Sequence, residues 1–206
     1  MSNHKPNRFQ NGTSNSHKHR GAKATDAQPP ASSPLDIMLR RSMRHVAAGE
    51  YQKALDLLSS DGRDARVRNT RGVCLMRLGR NEEAIRVLRE LVMKPGCTWM
   101  RSEVATVHKI NFATALLLGG HPNGCLDMLA EIKEPNHPSI VRLQATVGRW
   151  VSSLSFWQKL NWWVYGIVPA KRPVTIDFLP GEFDVEISPT STSNPVPHAP
   201  NLRTAV

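Results

Sequence analysis

The stretch 47-AAGEYQKALDLL-58 sets a glycine five residues ahead of an alanine, with a tyrosine between them and leucines following at helical spacing. The arrangement returns at 77-RLGRNEEAIRVL-88 and, in eroded form, at 118-LGGHPNGCLDML-129. Two antiparallel helices joined by a very short turn need a residue that accepts positive φ at the turn and a small residue where they cross. Gly49 with Ala54, Gly79 with Ala84 and Gly120 with Cys125 meet both needs. Seven residues before each glycine stands another small residue, Ser42, Gly72 or Ala113, at the matching point of the preceding helix. Three helix-turn-helix units follow from this recurrence.

Outward from these turns, Tyr51, Ala54, Leu55 and Leu58 share one helical face, as do Ala84, Ile85, Leu88, Leu91 and Val92. Asn81 is expected to cap the second of these helices, with Glu82 and Glu83 in its first turn and Pro95-Gly96 as its stop. The turn glycines are 30 and then 41 residues apart, so the first connection is short and the second has room for an extended helix from near Thr98. Pro138 opens a further helix with the stripe Ile140, Leu143, Val147, Trp150 and Leu154. Phe156, Trp157, Leu160, Trp163, Val164 and Ile167 then fall within a helical sector about 120° wide, and Trp162 and Tyr165 fall outside it. These residues are expected to cap the array, since four exposed tryptophans would make a patch of roughly 600–1,000 Å². Residues 174–187, VTIDFLPGEFDVEI, alternate apolar and polar around Pro180-Gly181, which fits a hairpin or an extended strap lying apolar side down on the helices.

The expected organisation is therefore a basic disordered tail over 1–34, helical repeats over 35–135, capping helices over 136–170, an extended strap over 171–187 and a Pro/Ser/Thr-rich disordered tail over 188–206. The fold class is all-α: helix-turn-helix repeats stacked as a short α-solenoid, a Trp-rich C-terminal capping helix, then an extended or hairpin-like segment. The chain has 206 residues and a net charge of +10, and its repeat region is itself basic, with nineteen Lys/Arg against twelve Asp/Glu over residues 35–170. Such a surface favours acidic partners. Cys74, Cys97 and Cys125 form no Cys-x-x-Cys pair, so neither a disulfide framework nor a zinc site is indicated, and no cofactor is expected. The N-terminal residues lack the apolar core of a signal peptide and no run of 18 apolar residues occurs, which points to a cytoplasmic protein. No Gly-x-Ser-x-Gly, phosphate-cradling glycine loop or His-Glu-x-x-His is present, so the expectation is a protein that is not an enzyme.

The recurring small residue, Gly, aromatic and Ala resemble the tetratricopeptide repeat, most fully in Gly49, Tyr51, Ala54 and in Gly72, Gly79, Ala84, Pro95. The second unit has Asn81 for the aromatic, and the third has Pro122 and Cys125 for the aromatic and the alanine. The resemblance, over roughly residues 35–135, implies a concave groove lined by the first helix of each pair. Position by position it offers Leu39, Met43 and Val46, then Arg66, Asn69, Val73, Met76 and Arg77, then Asn111, Thr114 and Leu117. The two-carboxylate clamp of some family members is not expected, because its places hold Leu39, Met43, Val107 and Asn111.

Three functions fit. The first is an adaptor that binds a partner protein in the groove, with Leu39, Met43, Arg66, Asn69, Val73, Arg77, Asn111 and Thr114 as contacts for an extended, acidic segment. Nucleic-acid binding through the basic tail and arginines is the second, although no stacking aromatic lies among those arginines. The third is membrane-surface attachment through the Trp-rich helix at 155–168. Beyond these, the acidic strap is a candidate to occupy the groove of its own chain.

Overall fold

A computed structural model describes residues 33–58, 62–169 and 172–184, which fall in one compact unit. The tails expected over 1–34 and 188–206 lie outside the described residues except for Ser33 and Pro34, as does the end of the strap after Asp184. Among the described residues there are eight helices and no strand, so the chain is all-α. They are α1 (Pro34–Ala47), α2 (Tyr51–Leu57), α3 (Ala65–Arg77), α4 (Asn81–Val92), α5 (Thr106–Leu118), α6 (Pro122–Ala130), α7 (Pro138–Ser153) and α8 (Phe156–Tyr165).

Each of the three turn glycines closes its helix in the same way. Gly49, Gly79 and Gly120 have φ of 74°, 74° and 82°, which a side chain would strain by about 1–2 kcal/mol. Their amides donate to Val46, Met76 and Leu117, and the next amides, of Glu50, Arg80 and His121, reach back to His45, Leu75 and Leu116 at 2.8–2.9 Å. This paired closure satisfies two orphan carbonyls per helix end and turns the chain straight into the next helix. The crossing positions behave alike: Ser42, Ala54, Ala84, Ala113 and Cys125 have no exposed surface. The Ser42 hydroxyl donates to the Ala54 carbonyl across the first crossing, and a Cβ on Gly72 would lie 2.5 Å from Leu88 Cγ in the second. Successive hairpins pack side by side, α2 on α3 and α4 on α5, and α3, α5 and α7 are neighbours on one side.

Three local expectations change. Asn81 is the first residue of α4 rather than its cap; Arg80 holds the cap position without a side-chain bond to the free backbone amides, and Asn81 Nδ2 instead donates to Leu118 O, tying α4 to the end of α5. No helix starts near Thr98. The Pro95-Gly96 turn folds residues 93–101 back on themselves, with Lys94 N–H donating to Trp99 O and Arg101 N–H to Val92 O, so the extra length is taken up by a loop. The shortness of the first connection falls on α2, which has 7 residues against 12 in α4.

The terminal cap is also redistributed. The stripe of α7 is buried throughout, from Ile140 to Leu154, and closes the last core cluster. α8 buries no residue, and the stripe expected to cap the array faces away from it. The residue of α8 that packs inward is Trp162, outside the stripe, whose ring meets Trp150 edge-on at 5.7 Å. On a helix advancing about 100° per residue, Trp162 lies opposite the centre of that stripe, so docking it turns the stripe outward. α8 is specified locally by its ends: Ser155 and Gln158 form a reciprocal capping box, and Gly166 closes the helix in the left-handed region.

Candidate functional site

The side chains of α3, α5 and α7 that face one another build a groove, and residues 172–184 of the same chain lie in it as an extended segment. Of the hairpin or strap expected over 174–187, the described residues, up to Asp184, form an extended strap bent at Pro180-Gly181 with no paired strands. The strap starts against the end of α7, where Trp150 Nε1–H donates to Arg172 O and the Arg172 guanidinium donates to Ser153 O, both at 2.8 Å. Val174, Ile176 and Phe178 then pack on the core cluster of α5, α6 and α7. Arg142 sits over the Phe178 ring, and the outward Asp177 meets Arg149 at 3.3 Å.

From Pro180 onward the groove reads the backbone. Arg77 donates through Nε to Pro180 O at 3.1 Å and through a terminal nitrogen to Gly181 O at 3.2 Å. Asn111 takes both backbone groups of one residue: its Nδ2 donates to Glu182 O at 2.7 Å, and its Oδ1 accepts from Glu182 N–H at 2.9 Å. A strand neighbour would offer the same pair of bonds, here supplied by one carboxamide. Asn69 supports it, accepting from Asn111 Nδ2 at 2.7 Å and donating to Glu182 O and Asp184 Oδ1. Asn69 and Asn111 are fully buried, so these bonds satisfy groups that would otherwise be costly to leave unpaired.

Four strap positions are read as well. Gly181 has φ +77° and lies so close to α3 that a Cβ would sit 2.8–2.9 Å from Met76 and Val73 side-chain carbons, which excludes any larger residue in this register. Phe183 packs between the clusters of the first two hairpins, with Arg77 Cζ 4.7 Å from its ring centre and the Tyr51 ring on the same guanidinium at 5.4 Å. Asp184 accepts from Nε2 of the buried His108 at 2.6 Å. Burial pushes the Asp184 carboxyl up, but the hydrogen bond from His108, its charge when protonated, and the Asn69 amide together hold it below the usual carboxylate value. The Glu182 carboxylate receives the Ser139 hydroxyl of α7.

Of the eight residues expected to line the groove, the structure brings Asn69, Val73, Arg77 and Asn111 together on the strap. Thr114 borders a small hollow beneath it, between α5 and α7, but spends its hydroxyl on Ile110 O. Met43 is buried in the cluster that receives Phe183. Leu39 is core, packed with Leu58 and Val67, and Arg66 is tied to Asp36 and Asp64 at the start of α3, so neither meets the strap. In α1 the face nominated for binding is consumed in closing the hairpin. His108 was missed, although it stands three residues before Asn111 and so shares the groove face of α5. Tyr51, expected at its repeat position and on the apolar face of α2, also meets the Arg77 guanidinium.

No protein-family model matches this chain, and neither a curated protein nor a solved structure matches it. Function is therefore argued from the groove itself. In the core clusters, burial pushes the Cys125 thiol up to about 12 and the Cys74 thiol up to about 11, which leaves both unreactive at neutral pH.

Proposed function

We propose that this protein is a non-enzymatic adaptor whose groove captures an extended segment of a partner protein, and that residues 174–184 are the resident copy of the recognised pattern. The observation that carries this reading is the Asn111 carboxamide bonded to both the N–H and the C=O of Glu182. Backbone capture of this kind gives affinity without demanding a sequence, and flanking contacts then select it. The selected pattern is a glycine, any residue, an aromatic and an acid. The glycine is set by Val73 and Met76, the aromatic by Arg77 and Tyr51, and the acid by His108 and Asn69.

The likeness to tetratricopeptide repeats supports the same reading, since three glycine-closed turns and three small-residue crossings recur where that pattern puts them. Two buried free thiols agree with a reducing, cytoplasmic setting. Nucleic-acid binding is less well supported. Arg66 is spent on Asp36 and Asp64, Arg80 on Glu83 and Arg77 on the strap, so three of the eight arginines between Arg63 and Arg89 are already engaged within the chain.

The test loosens the strap in the full chain with Phe183→Ala and Asp184→Ala, and adds a labelled peptide of residues 174–187. The loosened chain is expected to bind the peptide at least about tenfold more tightly than the parent, whose groove is filled, and Arg77→Ala added to it should cost about tenfold again, some 1.4 kcal/mol. Absence of binding, or binding indifferent to Arg77, overturns the groove as a peptide site.

A further inference from the structure

The strap covers one apolar surface of this chain and leaves another bare. On α8, Phe156 is 72% exposed, Trp157 70% and Trp163 85%, with Leu160 and Val164 beside them and Ile167 exposed just past the helix end. Three such aromatic side chains at ~150–250 Å² each put the patch at roughly 350–550 Å² before the aliphatic residues are added. That already reaches the ~300–600 Å² of the largest patch on a typical monomer. Its orientation is not incidental, because Trp162 packed on Trp150 and Asn123 Nδ2 donating to Gly166 O at 3.1 Å hold the opposite side of α8 to the body.

The charge around the patch selects its partner. Between Glu134 and Asp177 there is no Asp or Glu, while Arg142, Arg149, Lys159, Lys171 and Arg172 all fall in that interval. Lys159 stands on α8 itself, where with Phe156, Leu160, Trp163, Val151 and Ser152 it borders a shallow apolar groove against α7. Asp177, the first acid after the interval, is already met by Arg149. A second copy of this chain is disfavoured as the occupant, because a two-fold contact through this shallow groove would set Lys159 against its own copy, and no carboxylate borders the groove among the described residues.

We infer that the outer face of α8 docks on an anionic phospholipid surface, with Trp157 and Trp163 seated at the headgroup level and Lys159 against the phosphates. A helix with an aromatic and aliphatic face and flanking cations lies in the interface plane in this way, the rings entering the boundary while the amine stays wet. No described helix is long and apolar enough to cross a membrane, so the contact is with the surface only.

Flotation of the full chain with vesicles of phosphatidylcholine alone, or of phosphatidylcholine mixed with phosphatidylglycerol, tests this. The chain is expected to float with the mixed vesicles at least about tenfold more than with the neutral ones, with a blue shift of tryptophan emission. Trp157→Ser with Trp163→Ser should lose flotation at an unchanged melting temperature, since both side chains are exposed, and Lys159→Glu should weaken it. Arg77→Ala, which touches only the groove, should leave it unaltered, so that failure here and failure of the peptide site are separable. The inference is overturned if the chain does not float with mixed vesicles. It is equally overturned if the double variant still floats, which would put the contact on another basic part of the chain. A chain that stays unfloated but forms a dimer removed by the same double substitution would replace the lipid with a second copy.

Discussion

The groove along α3, α5 and α7 is filled by residues 172–184 of its own chain, whereas the outer face of α8 carries comparable apolar character and is covered by none of the described residues. The groove holds buried polar groups, Asn69, Asn111 and His108, that need partners at fixed positions. An occupant meeting them must present backbone, an aromatic and an acid in register. The α8 face carries rings and one lysine, needs no register, and accepts any apolar boundary with negative charge above it. A surface with directional demands is thus matched by a specific segment, and one without them is matched by a class of environment.

This contrast can be broken by substitution. Trp150→Ala should cost about 3–5 kcal/mol in urea unfolding, because Trp150 is 7% exposed, anchors Arg172 O and orients α8 through Trp162. An unchanged midpoint would mean that neither strap nor α8 is held as described. Asn111→Ala leaves Glu182 N–H and Asn69 Oδ1 without a partner and Glu182 O with the Asn69 amide alone. A loss of about 2–4 kcal/mol is expected, together with protease sensitivity confined to the strap; resistance equal to the parent would deny backbone capture.

Acid should release the tip of the strap before the helices melt. Asp184 is held below its ordinary value in the folded chain, so its contribution is complete above the unfolded carboxylate range near ~3.9 and is lost as pH falls through the lower folded value. Hydrogen exchange at Glu182 N–H should therefore accelerate at the acid end, and Asp184→Asn should remove that dependence at a cost of about 1 kcal/mol. Exchange independent of pH-linked opening in the parent would sink the His108 contact. Trp163→Ser should move stability by no more than about 0.5 kcal/mol. A larger loss would mean that the α8 face is covered after all.

Several features were legible before any coordinates. Gly49, Gly79 and Gly120 marked turns, the six small crossing residues marked hairpins, and the α7 stripe from Ile140 to Leu154 marked a buried face. Asn69, Val73, Arg77 and Asn111 were nominated as groove residues and all four meet the strap. The face of α8 was legible as a stripe but its direction was not. A ten-residue amphipathic helix looks the same whether the stripe points in or out, and the outcome rests on one contact, Trp162 with Trp150, made by the residue the pattern set aside. Leu39 and Arg66 do not meet the strap because Leu39 packs with Leu58 and Val67 and Arg66 is held by Asp36 and Asp64.

From residues alone came the hairpins, since positive φ and close crossing are steric facts settled within one or two turns of chain. That the acidic strap could fill the groove was legible as a candidate, but the register in which it does so and the way α8 faces came only from the assembled fold. Asn69 and Glu182 meet across 113 residues, and no local pattern encodes a contact that exists only once every intervening helix has set the path by which the chain returns.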